Sequence, residues 1–212
     1  MTSARQKPIR SSSVLATWTI TALLAATIYF PLFFKEKSAT VKDLQKNELK
    51  AYEHIRRLIN AQSLYIQRDY DGNGSLEYAL FIPHLWRSIG KNNEKIKVNL
   101  LPRKTAFAIG EARTVNGYYF VQKFTKTDPQ NPENTVDIDP SIEWGALMIP
   151  AEPGDGFLAF FTDQSGLIYV NHSDSRLEIP DDPGTDAQWI PLKDIEHLKS
   201  IQRQVRDLYS LN

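Results

Sequence analysis

Between residues 69 and 77 the chain reads Asp69-Tyr70-Asp71-Gly72-Asn73-Gly74-Ser75-Leu76-Glu77, with oxygen-bearing side chains at alternate positions and a glycine after the third. That spacing lets a tight loop wrap its carboxylates round a hard cation such as Ca²⁺. Asp69, Asp71 and Asn73 match positions one, three and five of a twelve-residue calcium loop, Gly74 makes the turn at six, and Leu76 is expected to pack inward at eight. Ser75 would offer its backbone carbonyl, and Glu77 would contribute directly or through water. Position twelve, where a bidentate glutamate belongs, is Leu80, so the expected affinity falls to roughly 10⁻⁴–10⁻³ M. The same residues also suit an Asx-rich turn that stops the preceding helix with no metal.

Other chemistry finds less footing. His54, His84, His172 and His197 lie far apart without helical i,i+3 or i,i+4 pairing, and the chain has no cysteine, so no zinc spacing exists. There is no Gly-x-Ser-x-Gly elbow, Ser165 belongs to a turn, and no phosphate-binding glycine motif occurs. His84 and Trp86 read as a core pair. Two carboxylate clusters, Asp137/Asp139/Glu143 and Asp181/Asp182/Asp186, sit in loops where nothing orients two acids across a cleft. Solvated loop charge explains both. The reading is of a non-enzymatic chain with no catalytic residues.

The elements that must hold the 69–77 loop are legible from periodicity. From Thr40 to Arg68 apolar residues recur at spacings of three and four, including Leu44, Ala51, Ile55, Leu58, Ile59, Gln62, Tyr65 and Ile66. Thr40 is expected to cap this helix, with Asp43 reaching back. Its charged first half, Lys42 to Lys50, reads as solvated, and its second half needs a partner surface. After the loop, residues 78–88 and 104–112 read as short helices, with residues 90–97 irregular between them. Strands are expected at 118–124 after an Asn116-Gly117 turn, then at 145–149, 157–162 and 167–171, with Asp163 to Gly166 as a hairpin turn. Residues 128–140 and 174–189 read as loops. Leu192, Ile195, Leu198, Ile201, Val205, Leu208 and Tyr209 mark one stripe of a C-terminal amphipathic helix. Ile55, Leu58, Ile59, Ile66, Phe120, Leu147, Phe160 and Ile168 are the expected core.

Residues 11–34 carry no charge, and as a helix they would extend roughly 36 Å, enough for a bilayer core of about 30 Å. Trp18 at one end and Tyr29, Phe30, Phe33 and Phe34 at the other suit the two interfaces. Arg5, Lys7 and Arg10 before the run also fit a signal peptide with small residues at Ala25-Ala26. Apolar bulk continuing through Phe34 favours an uncleaved anchor instead. Residues 1–37 hold five basic and one acidic residue, which leaves 20 basic and 24 acidic in the remainder, a net −4. No basic stripe is present, which excludes a nucleic-acid footprint.

Run, stalk, Asp-Gly loop and meander, in that order, resemble the plan of type IV pilins and type II secretion pseudopilins. The details resemble a group of bacterial pilin-like proteins, in which a stalk helix ending in small residues and Tyr precedes an Asp-rich Gly loop and another Tyr. The matching text is residues 55–65, Arg68 to Tyr78, Asn116 to Phe120, Ala146 to Ala151 and Gly156 to Tyr169. The resemblance implies an extracytoplasmic head on the inner (cell) membrane, with the N-terminus in the cytoplasm. One departure matters: pilins are cut after a Gly and keep a Glu five residues into the apolar helix, and neither residue occurs between Lys7 and Phe34. This leaves a pilin-like head on a permanent anchor.

The expected fold is therefore α+β: an N-terminal transmembrane helix continuing into a stalk helix packed on a small antiparallel β-meander, closed by the C-terminal helix. Residues 1–10 would be a cytoplasmic tail, 11–34 the anchor, 35–50 a solvated stalk and 51–212 the head. The expected function is protein–protein contact in a secretion or envelope assembly, with membrane lipid and other proteins, self included, as partners. The alternative is a tethered calcium-binding or sensing domain using Asp69–Glu77.

Overall fold

The computed structural model describes residues 40–173 and 177–209. Helix α1 (Val41–Tyr65) starts where its cap requires. The Asp43 N–H donates to the Thr40 hydroxyl oxygen, and the Thr40 N–H donates back to the Asp43 carboxylate, closing a capping box. The helix ends earlier than Arg68 because the amides of Gln67 and Arg68 tighten onto the carbonyls of Leu64 and Tyr65.

A 3₁₀ turn (Ile82–Leu85) then leads to the hairpin β1 (Arg87–Ile89) and β2 (Lys95–Lys97), and on to the single turn α2 (Arg103–Ala106). Strand β3 (Tyr118–Gln122) precedes a second hairpin, β4 (Thr125–Asp128) and β5 (Asn131–Asp137). Strands β6 (Gly145–Pro150), β7 (Leu158–Asp163), β8 (Ile168–His172) and β9 (Ile190–Pro191) come next, and α3 (Ile195–Tyr209) closes the described chain. β3, β6, β7, β8 and β9 form one antiparallel sheet in that order. The protein is an α+β fold.

Side chains alternate across this sheet. Phe120, Met148, Phe160 and Val170 pack on one face with Ile55 and Leu58 of α1 and Leu198 and Ile201 of α3. Leu147, Phe161 and Tyr169 face the other way, under Trp189 with Leu177 and Ile179. The sheet is thus walled by helix on one side and by an irregular strap, residues 177–189, on the other. Lys123 fastens the strap, its ammonium donating to the carbonyls of Pro180 (3.0 Å) and Asp181 (3.1 Å) and pairing with the Asp181 carboxylate at 3.3 Å.

Several expectations are corrected. The helix expected at 78–88 is one 3₁₀ turn, because Pro83 lacks a donor and Trp86 closes back on the Pro83 carbonyl. Residues 90–97 are not irregular: Gly90 and Glu94 close a turn with Asn93 at φ 63°, and β1 pairs with β2. The helix expected at 104–112 stops at Ala106, since the Ala108 carbonyl and the Gly110 amide bond to Phe120 of β3 instead. Most of the expected 128–140 loop is β5, whose seven residues are all exposed. The first half of α1 is not simply solvated: Leu44 and Glu48 are buried, so residues from Leu44 onward belong to the packed unit. Ile59 and Ile66 lie on the flanks of the α1 stripe and are only half-buried, whereas the other six expected core residues are buried.

Candidate functional site

The 69–77 loop hangs from the end of α1 and is held on both sides. Tyr65 stacks on Tyr70 at 5.2 Å between ring centroids, and its hydroxyl meets the Ser88 hydroxyl at 3.2 Å. Beyond the loop, the Gln62 side chain donates to the Ala79 carbonyl (3.1 Å) and accepts the Ala79 N–H (2.9 Å). The Tyr78 N–H donates to the Pro140 carbonyl at 2.8 Å.

Within the loop, the structure brings Asp69, Asp71, Asn73 and Glu77 together. The Asp69 carboxylate accepts the N–H groups of Asn73 (3.0 Å) and Gly74 (2.9 Å), so its two oxygens draw the turn closed. Gly72 (φ 68°) and Gly74 (φ 91°) supply the left-handed conformations that this turn needs. The Asn73 amide Nδ2 donates to Asp71 at 3.2 Å and to Glu77 at 2.9 Å, while its Oδ1 accepts the Ser75 N–H at 2.7 Å. Two carboxylates therefore converge on one amide group, as they would on a small cation. Ser75 contributes its amide to the turn. The N–H of Gly74, with further backbone donors, holds the Asp69 carboxyl below its ordinary 3.8. Leu76, expected to pack inward, is 59% exposed. The chain runs on extended after Gly74 rather than entering a helix, so Tyr78 and Ala79 turn inward instead. Among the described residues no group of three or more His, Cys, Asp or Glu side chains is arranged to hold a metal ion.

The other candidate residues are dispersed. Asp139 accepts the Ser141 hydroxyl and amide, Glu143 pairs with Lys126, and Asp182 and Asp186 cap local turns at Gly184 and Gln188. His54 is buried between the Asn116 side-chain amide oxygen Oδ1 (3.0 Å) and the Thr105 hydroxyl (3.2 Å), and burial holds it below its ordinary 6.5. His84 is half-buried, edge-on to Phe81, and is lowered for the same reason.

The sequence reading missed a buried polar knot at Glu48, which is 1% exposed. One carboxylate oxygen accepts the N–H groups of Phe157 (2.8 Å) and Leu158 (3.2 Å), and the other accepts the Gln202 amide at 2.6 Å. Burial raises the Glu48 pKa above 4.5 despite these donors. Beside it, Tyr118 donates to the Leu158 carbonyl at 2.9 Å, and a Cβ on Gly156 would come within 1.9 Å of that hydroxyl. The available signal was spacing: Leu44, Glu48, Ala51 and Ile55 continue one helical row.

No described helix is long and apolar enough to cross a membrane, and the expected span at 11–34 lies outside the described residues. No protein-family model matches this chain, and no curated protein or solved structure matches it.

Proposed function

We propose that the chain is a non-enzymatic, membrane-anchored, pilin-like module whose extracytoplasmic head acts by protein–protein contact in a secretion or envelope assembly. What supports this reading is the way α1 joins the head. Six residues after the uncharged run ends at Phe34, the capping box at Thr40 fixes the start of a helix that is buried in the head from Leu44 to Tyr65. A run of that length suits a lipid anchor. The exposed β4–β5 hairpin leaves the outer edge of β5 for a partner strand. The test is fractionation of the native full-length chain. It should resist carbonate extraction, retain residues 1–10, and expose its C-terminal domain to protease only from the extracytoplasmic side. An N-terminus at or after Ala26 would sink the anchor, and failure of every cross-linked homo- or hetero-oligomer would sink the contact role.

A calcium-dependent role is the second reading, and the convergence of Asp71 and Glu77 on Asn73 favours it. Asp69, Asp71, Asn73, the Ser75 carbonyl and Glu77 would be the ligands, with Ca²⁺ pinning the end of α1 to the head.

A further inference from the structure

A groove of about 630 Å³ opens beside β3, within the size range of small-molecule sites. Its walls are Phe81, Pro83, Phe107, Ile109, Val121 and Phe124. Phe81, Ile109 and Phe124 are exposed there, at 46%, 38% and 43%. The polar side chains at the groove are Gln122 and Arg113. Gln122 is committed, its amide oxygen accepting the Ile82 N–H at 3.0 Å and its amide nitrogen donating to the Leu80 carbonyl. A second concavity shares Phe107 and Arg113 with the first and is lined by Arg103 and Lys104. The side chains of Arg103, Lys104 and Arg113 are exposed and form no ion pair with any described residue. Glu111, the acid of the same loop, turns towards the Tyr119 hydroxyl at 3.5 Å.

The chemistry of the occupant comes from these two halves. An extended peptide pressed into the apolar half would leave the backbone N–H and C=O groups that face it without partners, at a cost comparable to lost hydrogen bonds. An alkyl chain incurs no such cost. The three uncommitted cations next to it call for an anion, and arginine matches a carboxylate with paired donors. We infer that this composite groove binds a single-chain anionic amphiphile, a fatty carboxylate whose alkyl tail lies against Phe81, Phe107, Ile109 and Phe124 and whose head group meets Arg113. This site stands independently of the anchor reading.

The test is photo-labelling of the purified full-length chain with a diazirine-bearing dodecanoate below its micellar concentration. Labelled peptides should map to residues 81–83 and 107–124, and excess dodecanoate should suppress the label. Arg113→Glu should lower labelling about tenfold, the loss expected for one charge-assisted contact of ~1.4 kcal/mol. It should leave the melting temperature unchanged, because that side chain is exposed. The matching dodecanol probe should label weakly. Equal labelling by the alcohol, label spread along the chain, or indifference to Arg113→Glu combined with Lys104→Glu would overturn the proposal. So would competition by anionic phospholipid vesicles but not by monomeric dodecanoate, which would assign the groove to a membrane surface.

Discussion

Gln62 satisfies both backbone groups of Ala79, standing in for a neighbouring strand where the segment leaving the 69–77 loop returns to α1. Both residues are buried, at 1% exposure each. Gln62→Ala should therefore destabilise by about 2–4 kcal/mol, because a buried donor and a buried acceptor lose their partners. Gln62→Glu should be nearly as damaging at neutral pH, since a carboxylate accepts the Ala79 N–H but has nothing to donate to its carbonyl. Urea unfolding reads both. Wild-type stability in Gln62→Ala would show that the segment is held elsewhere.

Glu48 gives a pH dependence of defined sign. Its folded pKa lies above 4.5, so the native state holds this proton more tightly than the unfolded chain does. Its contribution is full below pH 4.5 and is lost as pH rises through the folded value. Glu48→Gln should flatten that part of the stability profile and stay within about 1 kcal/mol of wild type near neutrality. Glu48→Ala should cost about 2–4 kcal/mol below pH 4.5, because the Phe157 and Leu158 amides lose their acceptor, and the cost should shrink as pH rises through the folded value. Melting curves across pH on the three proteins separate these outcomes.

His54 acts in the opposite direction. Burial keeps it neutral below its ordinary 6.5, so the unfolded chain takes up the proton first and stability falls as pH drops from 6.5 through the lower folded value. His54→Gln should remove this acid-side loss while costing about 1 kcal/mol at neutral pH for the altered contacts with Asn116 and Thr105. An unchanged acid limb in His54→Gln would assign that loss to other groups, His84 among them.

For the 69–77 loop, calcium at about ten times its dissociation constant should raise stability by ~1.4 kcal/mol. Asp69→Ala combined with Asp71→Ala should abolish the gain. Asp69 also accepts the amides that close the turn, so the double variant should lose some stability without calcium. Equal melting temperatures with and without calcium in the wild type would leave the loop as an Asx turn.

The parts of the fold that were legible are those with an apolar period. The Thr40 cap, the stripe of α1 and the four longer strands of the main sheet lie at their expected places to within one or two residues. The turns at Asn116-Gly117 and at Gly166 were legible because their positive φ angles demand those residue types. The hairpin β4–β5 was not, since Thr125–Asp128 and Asn131–Asp137 bury too little to impose an alternation. Glu48 was hidden by its neighbours: among Lys42, Lys46 and Lys50 a glutamate reads as solvated. Its role depends on Phe157 and Gln202, more than a hundred residues away. In the loop, residue types gave the Asx turn that Asp69 closes on the amides of Asn73 and Gly74. They could not give the outward turn of Leu76, which is set by the extended path of residues 75–79 and the anchoring of Ala79 on Gln62.

The two walls of the main sheet are unequal. On the α1 side, removal of the cover requires a helix of 25 residues to detach. On the strap side, Leu147, Phe161 and Tyr169 lie beneath Trp189 and a stretch without regular hydrogen bonding, fastened by Lys123 and Asp181. Segments with few backbone bonds open at lower free energy than the global transition. A protease should therefore nick near residues 177–189 while the helical face still resists. Lys123→Ala should quicken that first cut, giving the sheet one hinged shutter and one fixed wall.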